Sequence, residues 1–172
     1  AIEELSGRTC VWATAQYLSY ARTGETMDVD VTLAVVGHQI TQARAVCRVG
    51  DREILTVNAA VGERPFEYAH SFVKMPDVPP PSALKQRAHR SDVSNTIHEK
   101  MEERFVIGRE LEELDEIPND GRTLMWARIP DVIDGVDTAT LAVLGDFVPM
   151  GVGQALGIRG GGNSLDNTLR VV

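Results

Sequence analysis

From Met27 to Val61, apolar residues recur at every second position in three consecutive runs, and each join carries a glycine beside a polar residue. A two-residue period sends successive side chains to opposite faces, so each run suits a strand with one buried face and not a helix. The joins at Gly37-His38 and Gly50-Asp51-Arg52 are short enough for hairpins, which makes the three runs antiparallel neighbours. Upstream, residues 8–20 are rich in aromatic and β-branched residues and read as one further long strand, closed by a turn containing Gly24. The opening A-I-E-E-L-S-G reads as the last turns of a helix stopped by Gly7. Residues 8–61 are therefore expected to form a four-stranded antiparallel sheet, connected by hairpins and lying beside a helix.

The character of the chain changes after Gly62. Prolines at 65, 76, 79, 80 and 81 preclude regular structure over much of residues 62–86, and P-D-V-P-P-P-S has the composition of a linker. Residues 101–115 are acidic and suit either a surface helix or an irregular strand. Pro118 to Gly121 form a turn, and T-L-M-W-A-R-I at 123–129 returns to strand character. Asp137 or Thr138 can cap a helix running to Phe147, largely buried by its apolar residues. A glycine-rich loop at 160–162 and a last strand from Leu165 complete the order.

Composition limits the function classes. At 172 residues and 43% hydrophobic content, the chain can bury a core as one domain or two small ones. Its 17 basic residues against 25 acidic ones, a net charge of -8, argue against a nucleic-acid backbone as partner. Cys10 and Cys47 sit in apolar settings without C-x-x-C spacing and read as small buried hydrophobes of a reducing compartment, with a single disulfide also open. No run of 18 uninterrupted apolar residues and no basic-apolar leader occurs, so no membrane span and a cytoplasmic location are expected. His38, His70, His89 and His98 do not repeat at ligand spacing, so neither a metal nor another cofactor is expected.

The candidate chemistry lies in the second half. Asp146 interrupts an apolar helical run, where a carboxylate needs a reason, and Ser164 follows Gly160, Gly161 and Gly162 at the entry to the last strand. An acid and a hydroxyl held beside a turn can position a water for attack, and backbone N–H groups at Gly161 and Gly162 could receive an oxyanion. The plainer reading makes Asp146 a solvent-facing residue, Ser164 a turn residue and the glycines the means to a tight loop. No G-x-S-x-G context surrounds Ser164, so it is not expected to act as a covalent nucleophile.

With L-M-W-A-R around Trp126, L-A-V-L-G-D-F ending at Asp146 and Phe147, and S-L-D-N at 164–167, the chain resembles the double hot-dog acyl-CoA thioesterases of the type II bacterial kind. In the first half, G-H-Q-I-T-Q-A-R-A resembles that family's G-R-S-F-x-x-R hairpin. The resemblance implies an α+β fold in which two antiparallel sheets each wrap a central helix, with residues 1–75 as the first hot-dog, 76–98 as a proline-rich linker region and 99–172 as the second. It implies that the halves pack as equivalents joined edge to edge with the site at their interface, that both ends of the chain are incomplete, and that a homo-oligomer is possible. It also implies an acyl-CoA substrate, hydrolysed by water that Asp146 activates and Ser164 orients. The substrate is an anion, so an acidic chain needs a local basic patch to receive it. The family's glutamine has no counterpart here, and Asn167 stands where the family has histidine. Those departures keep open a noncatalytic acyl-CoA-binding protein of the same fold. A hot-dog dehydratase would place a histidine or an acid differently on the helix, and no such histidine occurs from Asp137 to Phe147.

Overall fold

The computed structural model describes residues 1–63, 65, 70, 73–88, 96–147, 151–160 and 162–171. Contacts divide the chain into two units, one of Ala1–His70 with Asn163–Val172 and the other of Ser71–Gly162.

The first unit opens with α1 (Ile2–Ser6), which ends at Gly7 in the left-handed region, φ 64°, as the sequence implied. Four strands follow: β1 (Cys10–Tyr17), β2 (Asp28–Val36), β3 (Ile40–Val49) and β4 (Arg52–Gly62). A further strand, β7 (Asp166–Arg170), which the sequence reading grouped with the second half, completes a sheet of order β2-β3-β4-β1-β7 with antiparallel pairing throughout. Hairpins join β2 to β3 and β3 to β4. The expected hairpin between β1 and β2 does not form, because β1 pairs with β4 on one side and β7 on the other. The 10 residues from Leu18 to Met27 are long enough to carry the chain past that tight turn to the far edge.

Register explains which face is buried. Leu33, Ala43, Ala59, Ala13 and Leu169 are aligned across the five strands, next to Val31, Ala45, Val57, Ala15 and Asn167. The opposite face carries the aligned row Thr32, Arg44, Asn58, Thr14 and Thr168. Ala43, Ala45, Cys47, Ala59 and Val61 are buried, as is Cys10, while Thr32, Arg44, Asn58 and Thr168 are exposed. Both cysteines are free, and burial pushes each thiol above its usual pKa. Gly62 closes β4 at φ 139° against Gln39, whose carbonyl oxygen would lie 2.0 Å from an added Cβ. No other residue fits there.

The second unit contains α2 (Ile97–Lys100), β5 (Glu102–Ile107), β6 (Leu124–Arg128), α3 (Thr138–Asp146) and α4 (Gly151–Leu156). The acidic stretch left open between helix and strand resolves into β5 followed by a 3-10 turn at Leu111–Glu113, and β5 pairs antiparallel with β6. Met101 and Ile129, at 1% and 2% exposure, flank this ribbon and form its buried centre. Residues 74–80 are irregular as their prolines require, and a 3-10 turn follows at Pro81–Ala83.

Candidate functional site

The helix that carries Asp146 begins where the sequence placed its cap. Asp137 is extended, and its Oδ1 accepts from the Thr140 backbone N–H at 2.7 Å. That hydrogen bond holds the Asp137 carboxyl below its ordinary pKa. The helix differs from expectation in its packing, since Thr140 is its only buried residue and Leu141 is exposed. Asp146 is exposed as well, at the last helical position. Its charge is thus met by water, and the cost of burial is not what explains it. Phe147, the next residue, packs edge-on against His98 with ring centroids 4.8 Å apart.

Ser164 is exposed and precedes β7 by two residues, so the strand starts at Asp166 and not at the serine. The path into the strand is fixed at Leu165, whose carbonyl accepts from the Tyr17 backbone N–H at 3.0 Å. Asn167 lies on the apolar face opposite Ala15, and Asp166 lies on the exposed face opposite Gln16. Asp146 belongs to the second unit and Ser164 to the first. Gly162 is exposed and irregular, while Gly161 lies outside the described residues.

Each unit carries an open groove among its described residues. In the first unit, a groove of about 470 Å³ is lined by residues that include Arg8, Thr9, His38, Gln39 and Glu63. Its guanidinium is already committed: Arg8 donates to the Gly37 carbonyl at 2.9 Å, the Thr41 hydroxyl at 3.0 Å and the His38 carbonyl at 3.2 Å. This binds the β2–β3 turn to the residues after α1. His38 accordingly serves as a turn residue through its backbone.

The second groove, about 520 Å³, lies on the β5–β6 ribbon and is lined by Pro81, Ser82, Glu102, Arg104, Trp126, Ala127 and Arg128. Glu102 stands opposite Arg128 and Arg104 opposite Trp126 in the strand register, so these four side chains share one face. The proline-rich segment is tied to that face, since the Trp126 indole N–H donates to the Pro79 carbonyl at 3.0 Å and Arg104 donates to the Leu84 carbonyl at 2.6 Å. In the sequence, Trp126 stands only as a family marker and the prolines only as a linker. Their meeting depends on long-range strand register, which no local motif encodes.

Gln154 carries no local motif either. It is buried on α4, its Oε1 accepts from the Arg109 backbone N–H at 2.7 Å, and its Nε2 donates to the Arg109 carbonyl at 2.9 Å. These two bonds fasten α4 to the segment after β5. Among the described residues, no three or more His, Cys, Asp or Glu side chains gather as metal ligands would.

No protein-family model matches the chain, and no curated protein matches it closely. Solved structures do. A candidate thioesterase from Novosphingobium aromaticivorans is 30% identical with a TM-score of 0.80, the match covering 98% of this chain and 64% of that one. A hot-dog protein of unknown function from Alicyclobacillus acidocaldarius is 19% identical with a TM-score of 0.76, covering 94% and 58%. The acyl-CoA thioesterase II TesB2 from Mycobacterium marinum is 18% identical with a TM-score of 0.52, covering 74% and 44%. The chain is an α+β protein of the hot-dog kind. Its structural neighbours include hot-dog thioesterases, the acyl-CoA thioesterase II type among them, as the sequence motifs implied. It spans less than two thirds of the length of each of these three proteins.

Proposed function

We propose that this chain is part of a double hot-dog acyl-CoA thioesterase, converting an acyl-CoA and water to a free fatty acid and CoA. The observation that carries the reading is the 30% identity and 0.80 TM-score to a candidate thioesterase over 98% of the chain. The ordered motifs at Trp126, Asp146 and Ser164 support it independently. In this reading Asp146 accepts a proton from the attacking water as its oxygen bonds to the thioester carbonyl carbon, and the Ser164 hydroxyl orients that water. The carbonyl oxygen becomes an oxyanion, to which backbone N–H groups at Gly161 and Gly162 are suited as donors. Collapse of the tetrahedral intermediate breaks the C–S bond and releases the CoA thiolate, which takes up a proton. The exposure of both Asp146 and Ser164 leaves room for a water at each. We assign the activity to the cytoplasm, in keeping with the two unpaired, buried cysteines.

A thiol-release assay across acyl-CoA chain lengths tests the proposal directly. Saturable release of thiol is the expected result. Binding of acyl-CoA without release would favour the noncatalytic alternative, which Asn167 in the place of the family's histidine would then explain.

A further inference from the structure

An acidic chain that takes an acyl-CoA has to offset its own field where the phosphates bind, and the net charge of -8 makes the need acute. The groove on the β5–β6 ribbon is suited to this. It brings Arg104 and Arg128 together with the single carboxylate of Glu102, and it adds an indole, a proline ring and the hydroxyl of Ser82. Its volume of about 520 Å³ falls within the usual range for small-molecule sites, roughly 300–1,000 Å³.

The two guanidiniums are not equivalent. Arg104 is spent on the strap, donating to the Leu84 carbonyl at 2.6 Å and the Gln86 side chain at 3.3 Å. Arg128 bonds Glu102 through Nε at 2.8 Å, with 71% of its side chain exposed. Among the described residues its two terminal nitrogens donate no hydrogen bond. Glu102 therefore fixes the guanidinium by one edge and leaves the N–H groups that make the fork suited to phosphate. Trp126 is restrained in a comparable way, because its N–H is tied to Pro79 while its ring lines the groove. A restrained aromatic ring beside an open guanidinium fits a ligand with both a planar base and a phosphate.

We propose that this groove receives the phosphorylated nucleoside end of the CoA thioester, with the base against Trp126 and Pro81 and a phosphate on Arg128 and Ser82. This rests on acyl-CoA being the substrate, and it assigns recognition of that substrate's nucleotide to residues other than Asp146 and Ser164. It also gives the proline-rich strap a binding role, since the strap supplies two of the lining residues.

The chain has two tryptophans, so Trp12→Phe leaves Trp126 as the only indole reporter. Titrating this variant with adenosine 3′,5′-bisphosphate should quench Trp126 emission saturably. Arg128→Gln should weaken that binding about tenfold, the scale of one charge-assisted hydrogen bond, and Arg128→Lys should restore part of it. The ratio of KM for an acyl-CoA to KM for the matching acyl-pantetheine should rise about tenfold in Arg128→Gln. Absence of quenching, or affinity and KM ratio unmoved by Arg128→Gln in a folded protein, would overturn the proposal. Hydrolysis with an unmoved ratio would remove the groove and leave the hydrolase, whereas quenching without hydrolysis would remove the hydrolase and leave a nucleotide site.

Discussion

The hydroxyls of Thr14 on β1 and Thr168 on β7 lie 2.8 Å apart, joining strands that are 154 residues apart in sequence. The backbone bonds Tyr17 N–H to Leu165 carbonyl and Val171 N–H to Val11 carbonyl set the phase of this antiparallel pair. Hydrogen-bonded positions alternate from them, so Thr14 and Thr168 form a non-hydrogen-bonded pair, the kind whose side chains approach most closely. The same phase makes Ala13–Leu169 and Ala15–Asn167 hydrogen-bonded pairs.

This phase predicts different outcomes for proline at two adjacent positions. Leu169→Pro removes an N–H directed at β1 and should raise amide exchange at Ala13 and Ala15. Thr168→Pro removes one directed away from β1 and should disturb that pairing less. Hydrogen exchange read by NMR decides between them, and equal effects would show that the register is wrong.

Arg8 anchors the β2–β3 turn through three acceptors, one of them the hydroxyl of Thr41, which is 1% exposed. Removing the guanidinium leaves that hydroxyl and two carbonyls without a charged donor. Arg8→Ala should therefore lower stability by about 2 kcal/mol, within the range for hydrogen bonds to charged groups. Urea denaturation should show a lower midpoint with unchanged slope, and Arg8→Lys should lose less because it retains the charge.

Much of the first unit was legible locally. Alternation along residues 27–61 gave three strands to within a residue or two, because a strand with one buried face must alternate. Gly7 marked a helix end because few other residues tolerate φ 64°. The position of β1 was not legible, since two strands adjacent in sequence pair only when their connection and the sheet order allow it. The burial of α3 was overestimated for a related reason: Leu141, Leu144 and Phe147 recur at helical spacing, yet spacing states which residues share a face and not whether anything covers it. Asp146 and Ser164 came into view through family motifs, and the Trp126 groove only through pairing of β5 with β6.

The capped start of α3 predicts a pH dependence. Asp137 has its folded-state pKa depressed, chiefly by the hydrogen bond from Thr140, so its contribution is present above the ordinary aspartate value and is lost as pH falls through the depressed one. Amide protection at the start of α3 should decline as pH is lowered from about 4, where an unperturbed aspartate titrates. Asp137→Ala should show weaker protection at neutral pH and no decline of this origin. A wild-type helix with flat protection across that range would contradict the cap as the source of the shift.

The catalytic assignment is tested most sharply by asking whether Asp146 and Ser164 act on one water. Asp146→Asn keeps shape while removing the base, and in acyl-CoA hydrolysis it should lower kcat by about a hundredfold or more, the range of general-base catalysis. Because Asp146 is exposed on α3, the substitution should leave the denaturation midpoint within about 0.5 kcal/mol of the parent, so lost turnover would not reflect lost folding. Ser164→Ala should cost less, since orienting a water supplies part of what accepting its proton supplies. If both residues hold the same water, the double variant should be little worse than Asp146→Asn alone, as expected for groups that act as a unit. Fully additive losses would mean that the two residues serve different steps. Unchanged turnover in Asp146→Asn would remove the aspartate from the reaction and return its place at the end of α3 to that of a solvated helix terminus.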